Sequence, residues 1–174
     1  MAQDPSYIQF ADYYNHDRMN FGALRVLNDD TVSPGRGFDM HPHQNMEVIS
    51  IPLKGYLTHG DSVENASTIT PGDIQVMSTG RGIFHSEYNG SDTEDLQFLQ
   101  IWVFPKVKNT PPEYHNYDVR SVLKKNHLGV IIAPDGSAPA SILQDAWFSM
   151  GKFDAGQTID YKCTKKATEF ISSS

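Results

Sequence analysis

Short segments rich in β-branched and aromatic residues recur along most of this chain, each bounded by Gly, Pro, Asn or Asp. The i, i+3, i+4, i+7 apolar spacing of an amphipathic helix does not emerge convincingly. The segments predict strands at Leu24–Asn28, Met46–Leu53, Tyr56–Asp61, Ser67–Ile69, Ile74–Met77, Ile83–Asn89 and Leu96–Phe104. Many short strands at this spacing predict an all-β sandwich or barrel, because closing or doubling a sheet removes its exposed edges.

Length and charge narrow the class of protein. The chain has 174 residues, enough for one substantial core or for one small domain and part of another. Its 14 Lys and Arg residues against 21 Asp and Glu residues give a formal net charge of −7, so direct nucleic-acid binding is not expected. Cys163 is the single cysteine, which excludes an intramolecular disulfide and any CxxC site and leaves an ordinary buried or half-exposed thiol.

The sequence also bears on location. No apolar run approaches the roughly 20 residues of a spanning helix, and the start MAQDPSYIQF is unlike a signal peptide. We therefore expect a soluble protein without a membrane partner, in the cytoplasm or, for a eukaryotic source, the nucleus.

The strand pattern changes character after the proline-stiffened segment Lys106–Pro112. We expect a first β-domain over residues 1–115 and a second section over 116–174, in which Asn116–Asn126 is a connector. From Gly129 onward the pattern is again strand, turn, strand, turn, strand, over GVIIAPDGS, SILQDAWFSMGKFD and TIDYKC, which predicts a β-unit that the chain does not complete. An unfinished sheet has unpaired edge groups, so we expect self-association that covers them.

Two pairs of polar residues carry the chemistry. His41 and His43 are two residues apart, as are His85 and Glu87, and residues i and i+2 of a strand lie on the same face. A lone H-x-H motif arises often by chance, but a second pair after the turn Gly80–Gly82 favours a site. If both strands line one barrel, nitrogen and oxygen donors meet around a divalent metal, most readily Fe(II), Ni, Co, Mn or Cu. An open coordination position would then allow catalysis or ligand sensing.

The motifs resemble a known family. Gly35 followed by HPHxxxE resembles the first cupin motif, and the segment from Gly72 to His85 resembles the second with a two-residue expansion before the histidine. The stretches HPHxxxE, PGDIQVMSTGRGIFHSE and LQIWV are similar to the pirin family, over at least Gly35–Pro105. PPEY and QDAWFSMGKFDAG extend the likeness more loosely into a second cupin-like unit. The resemblance implies an all-β bicupin whose first barrel binds iron.

The same resemblance implies a ligand set for one divalent metal per chain, most readily Fe(II), with Ni, Co, Mn, Cu and Zn as alternatives. The four ligand positions fall on His41, His43, His85 and Glu87. Glu47 is the rival carboxylate, because many other cupins take a ligand from that place in the first motif. We favour Glu87, which lies two residues from a predicted ligand in a regular strand, and expect Glu47 to be a solvated or supporting carboxylate.

Two other positions carry weaker expectations. His59 lies in the predicted strand that ends at Asp61 and is expected to be a polar-face or turn residue rather than part of a site. Gln44 stands where pirins often have Arg, which removes a cation from the mouth of the site and predicts a shift in substrate preference.

Similarity to bacterial pirins implies a function. Some of these are quercetin 2,3-dioxygenases, which open the flavonol ring with O₂ and release carbon monoxide. If this chain catalyses the same reaction, Glu87 would be the catalytic residue that accepts the proton of the flavonol hydroxyl. The partners would be a small aromatic substrate and O₂. The alternative is an iron-binding, redox-sensing regulator that modulates a transcriptional partner without turnover.

Overall fold

The computed structural model describes residues 9–10, 13–14 and 21–161, and Cys163 lies outside this part of the chain. The described residues form β-strands, turns and loops, and none of them forms a helix that could cross a membrane. The strands are β1 (Gln9–Phe10), β2 (Tyr13–Tyr14), β3 (Leu24–Val32), β4 (Gly37–His43), β5 (Glu47–Lys54), β6 (Leu57–Asp61), β7 (Ala66–Ile69), β8 (Asp73–Ser78), β9 (Ile83–Asn89), β10 (Leu96–Val103), β11 (Glu113–Asp118), β12 (Gly129–Ile132) and β13 (Phe148–Met150).

Two antiparallel sheets build the main body. One has five strands in the order β11-β8-β5-β10-β3, and the other has four in the order β4-β9-β6-β7. Their facing sides pack together through apolar clusters drawn from both sheets, such as Leu57 of the four-stranded sheet with Phe98 of the five-stranded one. The predicted all-β class is confirmed, and the two packed sheets form the expected barrel-like sandwich.

The outer face of the five-stranded sheet is covered by the later part of the chain. Ile49 and Ile101 on this face join Ile131, Ile132 and Ile142 in a single buried cluster. The strands β12 and β13 pair with each other in a separate two-stranded sheet. Residues after Ile131 therefore pack on the first barrel, while their assignment to an incomplete second cupin unit stays a prediction.

The seven strands predicted before residue 105 are all present, six with shifted ends and Ile83–Asn89 with the ends predicted. The strands β12 and β13 fall in the section predicted from Gly129 onward, whereas β1, β2, β4 and β11 were not in the predicted set. The segment Asn116–Asn126, predicted as a connector, begins with the last residues of β11, which pairs with β8 in register Glu113 to Ser78. The boundary expected after residue 115 therefore runs through a strand of the five-stranded sheet, and the division into two domains stays a prediction. The predicted strand around Thr158 is absent up to residue 161, and its remainder lies outside the described part.

Candidate metal centre

The antiparallel pair β4–β9 carries the histidines. In its register His41 lies opposite His85 and His43 opposite Ile83, after an irregularity between Phe38 and His41. Burial alternates along β9, where His85 is buried and its neighbour Phe84 is exposed. Both segments therefore direct the predicted donor side chains toward the interior between the sheets, as two-residue spacing requires.

Three imidazoles converge there. His41, His43 and His85 each offer a ring nitrogen, and these nitrogens all lie within 4.8 Å of one another. The His41 and His43 Nε2 atoms are 3.1 Å apart, and the ring centroid of His85 lies 4.4 Å from that of His41 and 4.9 Å from that of His43. Nδ1 of His41 is paired with the backbone carbonyl of Asp39 at 2.7 Å, which fixes its ring and turns Nε2 toward the cluster.

The environment of this cluster suits a cation. His85 is fully buried, and neither of its ring nitrogens has a hydrogen-bond partner among the described residues. Burial, and after it the charges of neighbouring histidines, lower the pKa of His85 to about 2 and that of His43 to about 4. His43 and His85 are therefore neutral at pH 7 with lone pairs available, which is the form that binds Zn²⁺, Fe²⁺ or Ni²⁺. A buried imidazole without partners is otherwise unfavourable, so the residues fit a transition-metal ion.

Glu87 lies beside the cluster but is held by other groups. Its carboxylate is 1% exposed, Oε1 accepts a hydrogen bond from Ser50 Oγ at 2.8 Å, and Oε2 accepts one from Gln100 Nε2. Among the described residues, the donors within 4.8 Å of one another are the three histidines, without this carboxylate. The structure thus brings together three of the four predicted ligands, and ligation by Glu87 stays a prediction. Burial raises the pKa of Glu87 to about 7 against the opposing effect of these hydrogen bonds.

The rival carboxylate lies on the other side of the sheet. Glu47 and Ser50 are three residues apart in β5, so their side chains point to opposite faces, and Ser50 is the one that contacts Glu87. Glu47 is 1% exposed and accepts hydrogen bonds from Ser78 Oγ at 2.8 Å and the Leu143 amide at 3.3 Å. It is therefore a buried structural group between the sheet and the later chain, neither solvated nor in contact with the histidines.

His59 lies closer to the cluster than the sequence suggested. It is 1% exposed, its ring centroid is 5.4 Å from that of His85, and it stacks on Tyr114 with centroids 4.3 Å apart. Its Nε2 is 3.2 Å from Asp61 Oδ2. Burial lowers the pKa of His59 against the opposing effect of Asp61, so the imidazole is neutral and packs behind His85. The signal available in the sequence was the alternation in β6, where His59 shares a face with the buried Leu57.

Gln44, the other position singled out in the sequence, is exposed, and its side-chain amide donates a hydrogen bond to the Arg81 carbonyl at 3.3 Å.

A cavity of about 490 Å³ opens beside the histidines. Trp102 forms part of its wall and packs edge-on against His43, with ring centroids 4.7 Å apart. The other lining residues come from four strands of both sheets and are Val26, Asn28, Asp30, Gly37, Phe38, Asp39, His41, Glu87 and Gln100. The cavity therefore joins one cluster histidine, the buried carboxylate and an aromatic surface, which is an arrangement typical of a small-molecule site.

Comparison with known proteins agrees with this geometry. Residues 2–103 match the Pirin family model. The chain is 41% identical over 160 residues to ZMO1337 of Zymomonas mobilis, covering 89% of this chain and 66% of that protein. It is 42% identical over 126 residues to the quercetin 2,3-dioxygenase of Escherichia coli K12, covering 72% of this chain and 53% of the relative. The chain thus spans about half to two thirds of the length of these relatives.

Solved structures give the same result. The E. coli bacterial pirin YhhW in complex with nickel(II) aligns at a TM-score of 0.72 and 38% identity, over 80% of this chain and 59% of YhhW. Another YhhW structure aligns at a TM-score of 0.71 and 39% identity, over 78% of this chain and 57% of that one. Since the family model covers more than half of the sequence, this chain belongs to the pirin family.

Proposed function

We propose that this chain is a metal-dependent dioxygenase that opens the ring of a flavonol-like aromatic with O₂. The observation that carries the proposal is the set of three convergent, inward-facing imidazoles beside a cavity large enough for a small aromatic molecule. The names of the E. coli relatives, a quercetin 2,3-dioxygenase and a nickel-binding pirin, support it.

His41, His43 and His85 would hold the ion, and we assign Glu87 as the fourth ligand because it shares the inward face of β9 with His85. Fe(II) is the metal proposed, and Ni, Co, Mn, Cu and Zn are compatible with the same donors. When bound, such an ion supplies coordination positions for O₂ and an anionic substrate oxygen.

The proton chemistry is assigned to the Glu87 carboxylate. Burial raises the pKa of Glu87 to about 7, which makes its carboxylate a stronger base than an exposed one. Coordination to a cation favours the carboxylate form, so Glu87 would act as a base on loosening from the ion. Ser50 and Gln100 donate to its two oxygens and fix it at the cavity wall. From there it would accept the proton of the substrate hydroxyl and make that oxygen anionic.

The remaining wall orients the substrate. Phe38 and Trp102 offer aromatic surface and Val26 adds an apolar contact, so a planar ring would pack against this wall and displace water from it. This selects aromatic over sugar-like or extended aliphatic substrates.

Metal content is the first test. Elemental analysis of protein purified without added metal should find about one transition-metal ion per chain, as a four-ligand site predicts, and His43→Ala should lose most of it. His115→Ala is the matched control, since His115 is an exposed histidine on β11 whose loss should leave the occupancy unchanged. Equal metal content in all three proteins would rule out the histidine cluster as the site.

Turnover is the second test. Metal-loaded protein should consume O₂ and quercetin in equal amounts with release of carbon monoxide, and Glu87→Gln should lower the rate by about 10²-fold or more, the usual contribution of a general base. A protein that keeps its metal but shows no O₂ consumption would contradict the proposed reaction and favour the regulatory alternative.

A further inference from the structure

Two buried oxygen atoms on the cavity wall have no partner. Asn28 and Asp30 lie two residues apart on β3, are 9% and 2% exposed, and both line the cavity beside Glu87. The Oδ1 atom of each is buried and makes no hydrogen bond to any described residue. Neither residue is among the predicted ligands or in the histidine cluster.

Their position makes these atoms unusual. The same face of β3 carries Val26 and Val32, which are both buried and apolar, so a sheet packed only for stability would continue with apolar side chains at positions 28 and 30. A buried acceptor without a donor costs about 1–3 kcal/mol. The chain keeps two of them at adjacent inward positions, both facing the cavity, which points to a ligand that supplies the donors.

The chemistry of that ligand follows from the groups. A carboxamide oxygen and a carboxylate oxygen are both acceptors, and inward residues two apart on a strand are separated by about 7 Å. The cavity between them and the histidines is bordered by the rings of Phe38 and Trp102. A planar aromatic that carries hydroxyl donors away from its metal-binding end satisfies both features.

We propose that Asn28 and Asp30 form an acceptor wall that selects polyhydroxylated aromatic substrates over molecules of the same skeleton without those hydroxyls. The inference rests on the proposed function in that it places the same substrate class in the same cavity. It adds that affinity and discrimination come from β3, on the side of the cavity formed by the five-stranded sheet.

The ionisation of Asp30 agrees with this role. Burial and then the charge of Asp29 raise its pKa to about 6, which leaves it mostly ionised above neutral pH. Hydrogen bonds from a neutral hydroxyl to a buried carboxylate are roughly twice as strong as neutral ones. Asp30 is therefore the stronger of the two acceptors.

The test compares two ligands and two variants. Quercetin and 3-hydroxyflavone share the flavonol skeleton, but only quercetin has hydroxyls on the outer rings. Dissociation constants are measured by tryptophan fluorescence quenching under anaerobic conditions, so that no turnover is needed. Asp30→Asn should weaken quercetin binding about tenfold and change 3-hydroxyflavone binding less than about twofold, as expected for loss of one charge-assisted hydrogen bond.

Asp29→Asn is the matched control. It removes the same charge from the neighbouring position, whose side chain faces away from the cavity and accepts a hydrogen bond from Gln97 at 3.1 Å. It should leave both dissociation constants unchanged. Equal weakening of both flavonols by Asp30→Asn, no weakening of either, or failure of quercetin to bind the wild-type protein would each overturn the inference. Selective weakening without turnover would uphold the acceptor wall while the dioxygenase proposal fails.

Discussion

Asp30 combines nearly complete burial with a charge that no neighbouring cation neutralises within the described residues. Its pKa is about 6 in the folded chain against an ordinary 3.8, so the folded state binds this proton more tightly than the unfolded state. Stability from this group is therefore complete below pH 3.8 and is lost as the pH rises through 6.

Asp30→Asn removes the buried negative charge and, with it, the loss of stability at high pH. In metal-free protein the variant should be more stable than wild type by about 3 kcal/mol at pH 8 and nearly equal to it at pH 4, because the pKa of Asp30 rises from 3.8 to about 6 on folding and each tenfold change in proton affinity corresponds to about 1.4 kcal/mol. Urea denaturation at several pH values measures the difference. Asp29→Asn should give a smaller gain, and parallel stability curves for Asp30→Asn and wild type would contradict the assignment. A more stable protein that binds quercetin less well would separate folding from function at one residue.

Some residues of the site could be predicted from the sequence and others could not. His41, His43 and His85 are recognisable because two-residue spacing and chemically distinctive side chains coincide. Asp30 is not, since an acidic residue in a polar Asn-Asp-Asp run gives no sign that alternate positions are buried. The sequence also did not show that the Glu47 side chain points away from the histidines. Which residues of a strand share a face is known only once the first residue of the strand is known.

At the scale of elements, the predicted strands include the polar β9, whose ends match, whereas β4 and β11 were not in the predicted set. β4, with the sequence GFDMHPH, and β11, with EYHNYD, have compositions of low strand propensity and form because the neighbouring strands β9 and β8 offer pairing partners. The element that carries two of the predicted ligands thus depends on tertiary pairing. Its position is set by how closely β4 approaches β9.

Gly37 sets that approach. It pairs with Tyr88, and a Cβ at position 37 would lie 2.6 Å from the Tyr88 Cα and closer still to the Glu87 carbonyl oxygen. Gly37→Ala should therefore push β4 away from β9, separate His41 from His85, and lower stability by about 1–3 kcal/mol, as overpacking does. Elemental analysis should find reduced metal, and thermal unfolding should begin at lower temperature.

Gly60→Ala is the control for this change. Gly60 pairs with Ser86 of the same strand β9, and a Cβ there would meet only the Ser86 Oγ, at 3.6 Å. It should keep full metal content. A Gly37→Ala protein with wild-type metal content and unfolding temperature would show that the β4–β9 distance does not control the site.

At the scale of the whole molecule, the two predicted sections share a core. The buried cluster on the outer face of the five-stranded sheet takes Ile49 and Ile101 from the barrel and Ile131 from the later chain. The Glu47 carboxylate adds a polar link, since it accepts from Ser78 and from the Leu143 amide. A boundary after residue 115 would cut through these contacts as well as through β11. The barrel and the segment that covers it should therefore unfold together.

Ile131→Ala tests this coupling. Ile131 is 1% exposed, and truncating a buried isoleucine costs about 2–5 kcal/mol. If the core is shared, urea should release the bound metal and abolish the backbone circular dichroism at the same, lowered midpoint, although position 131 lies far along the chain from the histidines. Val130→Ala on the same strand, where the side chain is 37% exposed, should move neither midpoint appreciably. Metal release at the wild-type midpoint in Ile131→Ala would instead mean that the barrel folds independently of its cover, and the two sections would then be separate domains.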